Sequence, residues 1–505
     1  MGLAGLTTRK LAHMADLAVK LNGRTVMNKI RLFLRMLALL PGMAMASSQP
    51  VPAAWFEAFK QQASDEQLYQ FLYLLPKGGD LHNHLSGSGL SEWWWQLASD
   101  QQRNGGYRYL TQVAAGACPD EQQDEYQPLS AFMAYSNIQY SSWQQLSRCE
   151  QQQYKALEQL NAAEKKGWLN SIRLDKGREG RDEFFETHWA RLGDLLRNPY
   201  IQGEMLVLNM QAFGAEGLIY LETQAGVDGF IQADGSPIGQ EEVYAMMVER
   251  LARPDALQTG VTTRLQYALL RFAPDAEQQL DSIYRFVDQH RQLYVGINMV
   301  GREDNDKGYP LRFLSTLRRL RSQLPPVNLS IHGGESDEPN FHVRDTLLLG
   351  ANRIGHGINL IDDPQTMLLM RHNQYLVEIN LISNLLLEYV ADYREHPFPE
   401  YLRTGIPVAL STDDRGMWDS GMTDEYFVAL KQFNLSWQEL VSLGRNSLLY
   451  SFADEQSKGE LLAKYAQNIA QFEQAFLQRG TALLSSTKPP VRGFMCRQYQ
   501  LCASH

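Results

Sequence analysis

From about residue 200 to residue 414 the chain alternates between short apolar runs and longer amphipathic ones. The short runs are "GLIYLETQAG", "TTRLQYALLRF", "YVGINMVG", "VNLSIHGGE", "RIGHGINL", "YLVEINLIS" and "PVALSTDD". Segments with helical spacing, such as "DSIYRFVDQHRQ" and "RFLSTLRRLRSQL", separate most of them. Strand-like runs that alternate with helices imply a parallel sheet. With "GGDLHNH" upstream there are about eight such runs, and eight with no evident edge strand predict a (β/α)8 TIM-type barrel. An open doubly wound sheet is the runner-up.

The flanks differ from this beat. Residues 50–75 read as helical: in "SDEQLYQFLYLLPKGG", Ser64 suits an N-cap, Leu68, Phe71 and Leu72 form an apolar stripe, and Pro76 stops the helix. Between about 86 and 200 glutamine becomes frequent and strand-like runs are few, which predicts a largely helical insertion after the first strand. Trp93, Trp94 and Trp95 near its start read as packing residues. Beyond Ser436, whose spacing to Glu439 fits a capping box, the chain is helical, and the tail after Pro489 reads as irregular. The resulting division is 1–46 (upstream extension and leader), 47–75 (N-terminal helices), 76–485 (barrel with its insertion) and 486–505 (tail).

At 505 residues with 44% apolar content the chain can bury a large core. A formal charge of −10 without a long basic run argues against nucleic acid or an anionic membrane as partner. "MNKIRLFLRMLALLPGMAMASS" starts at Met27 with Lys29 and Arg31, turns apolar, and ends in Ala44-Met45-Ala46. That is the order of a secretory signal, with cleavage after Ala46 and export to a periplasmic or extracellular space. Arg35 departs from the pattern, and a buried amphipathic helix is the competing reading. The apolar part is too short to span a bilayer, so no stable membrane insertion is expected after signal removal. The residues before Met27 read as an upstream extension. In an exported chain the four cysteines suggest disulfides, and proximity favours Cys118–Cys149 and Cys496–Cys502 over four buried thiols.

Nearly every strand-like run ends in polar residues or glycine: His82 and His84, Glu222, Gly301 to Asp304, His332 with Glu335, His356, Ser383 with Asn384, Asp413 with Asp414. In a barrel these ends meet at one face, where catalytic groups gather. His82, His84, His332 and Asp413 together are sufficient protein ligands for one zinc ion. Glu335, behind a Gly-Gly turn, can shuttle protons. His356 can orient or deprotonate a water, and Asp414 can face a substrate. Singly, Asp413-Asp414 could cap a helix and His356 could be a core histidine; His342, His372 and His396 read as structural or surface residues, with His396 able to line the rim.

Taken together, "PKGGDLHNHLSGS", "VGINMVGRED", "SIHGGES", "RIGHGINL", "VEINLISN" and "LSTDD", in this order, resemble the adenosine deaminase family of the amidohydrolase superfamily. "PKGGDLH", "RDTLLLGANRIGHG", the long insertion and the leader are most similar to its secreted growth-factor branch. The resemblance implies zinc-dependent hydrolytic deamination of adenosine or 2′-deoxyadenosine, with zinc on His82, His84, His332 and Asp413. It implies Glu335 as the acid at purine N1, His356 as the group that holds and deprotonates the nucleophile attacking C6, Asp414 at N7 and the Gly301 backbone at N3. It also implies a homodimer built partly by residues 55–75. Where the family often has an acid two residues past the second histidine, this chain has Ser86, and Arg415 follows the double Asp in place of proline. A charged sugar contact must then come from elsewhere, the insertion or Glu222, and Ser86 and Glu222 are the single residues expected at the substrate. The alternatives are a deaminase of adenine or another 6-aminopurine, and a secreted binding or signalling protein on a deaminase scaffold; the intact set of site residues argues against the latter.

Overall fold

The computed structural model describes residues 53–114, 118, 133–177, 179–304 and 307–502. The leader expected at 27–46 lies outside them. Eight strands form one sheet: β1 (Gly78–Asp80), β5 (Leu218–Gln224), β6 (Thr262–Leu270), β7 (Tyr294–Val300), β8 (Asn328–Gly333), β9 (Arg353–His356), β10 (Leu376–Ile379) and β11 (Val408–Leu410), paired in that order. All seven pairings are parallel. The ring completes where β1 runs on to meet the end of β11: Asp413 N donates to His82 O at 2.9 Å, and Asn83 and Asp413 form a parallel bridge. This is the expected (β/α)8 barrel.

Its strands are apolar because both faces are covered. Leu218, Tyr220, Leu221, Ile297, Met299, Leu329, Ile331, Ile354, Val377 and Ile379 are buried. Helices separate successive strands, such as Ala276–Gln289 between β6 and β7 and Pro364–Asn373 between β9 and β10.

Several expectations change. The first strand is only Gly78–Asp80, so His82 and His84 stand on the segment beyond its end. The N-terminal segment is two helices, Ala54–Gln62 and Asp65–Leu74, with Ser64 and Gln67 forming a reciprocal capping box at the second. Their apolar faces are spent within the chain: Phe56, Phe59 and Phe71 pack on Trp437, Phe472 and Phe476. The insertion carries helices such as Ser91–Ser99 and Ala162–Ile172, but it also holds a three-stranded antiparallel sheet, β3 (Asn137–Gln139), β2 (Tyr109–Gln112) and β4 (Tyr154–Ala156). The tail carries a helix, Gly493–Tyr499, because Phe494 and Met495 find burial against the body of the protein. Trp94 is fully buried, as packing requires. Disulfides join Cys118 to Cys149 and Cys496 to Cys502.

Candidate active site

The C-terminal ends of the strands bring His82, His84, His332 and Asp413 to one point. Each offers one ligand atom, and the four atoms lie within 4.8 Å of one another. His84 Nε2 lies 3.1 Å and His82 Nε2 3.6 Å from Asp413 Oδ1. The ring centroids of His82 and His332 are 4.4 Å apart.

The supports of these rings fit a metal. His82 Nδ1 is paired with Glu378 Oε2 at 2.8 Å, and His332 Nδ1 with Asn298 Oδ1 at 2.8 Å. Each pairing fixes the tautomer that leaves Nε2 as a lone-pair donor, as supporting partners of metal-binding histidines do. His82 Nε2 and Asp413 Oδ1 are buried and have no hydrogen-bond partner. Two orphaned polar atoms 3.6 Å apart inside a histidine cluster are what a divalent cation satisfies. Burial, then the neighbouring imidazoles, push His332 well below its ordinary range, toward the neutral form that ligates. Against the desolvation of burial, the carboxylates of Asp413 and Glu378 raise the metal-free His82 to about 10.

Backbone conformation here is unusual. His356 (φ 63°) and Asp413 (φ 52°) both adopt the left-handed region, which non-glycine residues enter at a cost and which clusters at functional sites. Asp413 is held there by Ser383 Oγ, which donates to Oδ2 at 2.7 Å, and by its bridge to β1. The turn after His332 needs a glycine at 334, where φ is +77° and a Cβ would strike the Asn359 side chain. At Gly87 the requirement is close approach: a Cβ there would collide with the Asp414 carboxyl.

Beside the ligand cluster stand groups suited to proton transfer. Glu335 Oε1 is 3.6 Å from His356 Nε2. Burial first, then the Asp413 and Glu303 carboxylates, hold Glu335 well above the ordinary carboxylate range. Burial and the Asp413 carboxylate do the same to Asp414. Burial and nearby His82 push His356 down to about 3, so its imidazole is neutral. His356 Nδ1 faces Asn384 Nδ2 at 2.9 Å, and Asn384 Oδ1 pairs with His396 Nε2 at 3.0 Å. His396 is therefore buried behind His356, not on the rim.

A cavity of about 800 Å³ opens over this floor. Ser86, Gly301, Glu335, Asp413 and Asp414 line it, with His84 and His332. Phe184, Phe185 and Trp189, from the insertion, form part of its wall. Glu222 is not there. Its carboxylate is used inside the barrel, accepting from Tyr220 Oη at 2.7 Å, Gln266 Nε2 at 2.9 Å and Arg353 Nη2 at 2.6 Å. The residue of that strand that does line the cavity is Gln224, two positions nearer the mouth.

Sequence reading missed the supporting residues Glu378 and Asn298, and it placed Glu303 and Asn384 at strand ends without giving either a role. The signal for Glu378 and Asn298 was a lone polar residue inside an apolar strand run, "YLVEI" and "VGINM". Glu303 binds the Gly-Gly-Glu turn from the end of the neighbouring strand: Oε2 accepts from Gly334 N at 3.0 Å and Oε1 from Glu335 N at 3.1 Å. His342 Nδ1 lies 2.7 Å from the same carboxylate.

The family model described as "Adenosine deaminase" matches residues 185–468, more than half of the chain. An adenosine deaminase 2 from Dictyostelium discoideum is 35% identical over 182 residues, 35% of this chain and 33% of that protein. This match thus spans about a third of the relative's length. An adenosine deaminase from Lutzomyia longipalpis is 23% identical over 430 residues, 82% of this chain and 81% of that protein. A solved amidohydrolase from Burkholderia ambifaria, with bound Zn, shares the fold at a TM-score of 0.57 and 18% identity, over 81% of this chain and 94% of that one.

Proposed function

The chain belongs to the adenosine deaminase family, and from that premise we propose that it hydrolyses adenosine or 2′-deoxyadenosine to the inosine product and ammonia. What carries this reading is the meeting of a His82–His84–His332–Asp413 cluster with Glu335, Asp414 and, 3.6 Å from Glu335, His356, beneath a cavity that His84, His332, Glu335, Asp413 and Asp414 line. A zinc ion held by His82, His84, His332 and Asp413 would supply Lewis-acid activation of a water nucleophile.

The chain's own residues do the rest. His356, neutral, accepts a proton from the water that adds to C6. Glu335, protonated, gives its proton to ring N1, which takes up the electron pair displaced from C6. Asp414 hydrogen-bonds N7, and the Gly301 backbone contacts N3. The C6–O bond forms; His356 then returns its proton to the amino nitrogen, the C6–N bond breaks as the new hydroxyl becomes the C6 carbonyl, that hydroxyl's proton passes to the Glu335 carboxylate, and ammonia leaves. The apolar wall over the floor limits access of other water.

Export is part of this proposal. It is supported by the two disulfides, which persist in oxidising compartments. The insertion stapled by Cys118–Cys149 also supports placing the chain in the secreted growth-factor branch.

The test is a panel of adenosine, deoxyadenosine, adenine and adenosine monophosphate on metal-analysed protein, following ammonia. Release from adenosine and deoxyadenosine is expected. No ammonia from either overturns the proposal, and release from adenine alone moves the substrate to the free base.

A further inference from the structure

Three amide atoms at the cavity wall have nothing to bond. Gln202 and Gln224 both line the cavity, and each is only 4% exposed. Gln202 Nε2, Gln224 Nε2 and Gln224 Oε1 have no hydrogen-bond partner. Ser86 Oγ donates to Gln202 Oε1 at 3.1 Å, so the serine fixes the amide's orientation and leaves its NH2 end unspent. An unmade hydrogen bond on a buried polar group is costly, and a bound ligand is one partner that can satisfy it.

We infer that Ser86, Gln202 and Gln224 form a neutral subsite that hydrogen-bonds the hydroxyl groups of the substrate's sugar. The inference rests on the deaminase reading above and adds which part of the substrate these residues recognise. Gln202 stands on the helix Pro199–Ala215 and Gln224 at the end of β5, beside the segment that carries His84: His84 and Gln224 are bridged, and Leu85 N donates to Gln224 O at 3.1 Å. A purine seated with C6 over the ligand cluster would therefore have these amides within the same cavity. Amide NH2 and C=O groups match hydroxyls, which both donate and accept.

Charge favours hydroxyls over phosphate. Arg302 is the one lysine or arginine among the described lining residues. Its guanidinium is already committed, to Asp304 at 2.8 and 2.7 Å and to Asp182 at 2.6 Å. Glu186, Asp228 and Asp304 line the same cavity. A dianionic 5′-phosphate would meet carboxylates with no free cation, whereas a sugar hydroxyl meets unpaired amides.

The experiment compares inosine with hypoxanthine by calorimetry on the full-length, metal-analysed protein, and repeats it with Gln202→Leu, Gln224→Met and Ser86→Ala. The ratio of the two affinities isolates what the sugar contributes without any need for turnover. The wild type should bind inosine more tightly than hypoxanthine. Gln202→Leu and Gln224→Met should each reduce that preference roughly ten- to a hundredfold, with hypoxanthine affinity within about threefold. Both should melt at or above the wild-type temperature, because they remove an unsatisfied amide. Ser86→Ala, the smallest change, should reduce the preference less. An absent preference in the wild type, its survival in all three variants, an equal loss for both ligands, or tighter binding of inosine monophosphate than of inosine overturns the subsite. Failure of ammonia release from adenosine with the sugar preference intact would overturn the deaminase reading and leave the subsite standing.

Discussion

Glu378 Oε2 sits 2.8 Å from His82 Nδ1, deep in the barrel, and thereby turns Nε2 of that ring toward Asp413. Glu378 is itself gripped by Arg353, which also binds Glu222. Although burial opposes it, Arg353 and His82 hold the Glu378 carboxyl at about 2. A partner of this kind sets both the tautomer and the basicity of a ligand. Glu378→Gln should weaken metal retention about 10- to 100-fold, read by competition with a chelator and by metal analysis after dialysis. Retention equal to wild type would remove Glu378 from the metal's support.

Glu335→Gln keeps the shape of the side chain and removes its transferable proton. Turnover should fall by about 10² to 10⁴, with bound metal and inosine affinity close to wild type. A fall of less than tenfold would mean that another group protonates the ring.

Glu303 is fully enclosed and takes two backbone N–H groups of the turn that carries Glu335. Although burial opposes it, Arg271 and His342 hold its carboxyl at about 2, below the ordinary 4.5. A depressed folded-state value means stability that is complete above about pH 4.5 and is lost as pH falls toward 2. Glu303→Gln strips Arg271 of its counter-charge and should cost about 3–5 kcal/mol at pH 7. The deficit should shrink at pH 3, and denaturant unfolding at the two pH values measures it. A deficit equal at both would place Glu303 outside this linkage.

Removing the Cys118–Cys149 link by Cys149→Ser, with Cys118→Ser to avoid a stray thiol, frees a loop of 31 residues' separation. The loop-entropy relation assigns roughly 3–4 kcal/mol to such closure. The insertion should become protease-sensitive at temperatures where the barrel still resists, as followed by limited proteolysis and fragment mapping. Unchanged resistance would show that packing alone holds the insertion.

Much of the barrel was legible because parallel strands covered on both faces must be apolar, and "YVGINMVG" or "YLVEINLIS" can hardly be anything else. The residues of the candidate cluster were legible because they fall at or just past the ends of such runs. Their supports were not. Glu378, Asn298 and Glu303 matter through partners 296, 34 and 31 positions away, distances over which a local pattern carries no information. Glu222 misled for the same reason: a carboxylate near the end of a strand looks like a site residue until Arg353, far along the chain, turns out to hold it. The insertion's small sheet escaped because its strands are only three or four residues long, too short for periodicity to register. The tail helix depends on burial of Phe494 and Met495, which no local signal announces.

Phe184, Phe185 and Trp189 reach the cavity from a segment threaded between the first two strands of the barrel, while the reacting centre would rest on the strand ends. Evolution can therefore edit the two independently. Exchanging that segment between homologues should reshape the apolar wall of the cavity, and leave untouched the residues gathered at the strand ends beneath it.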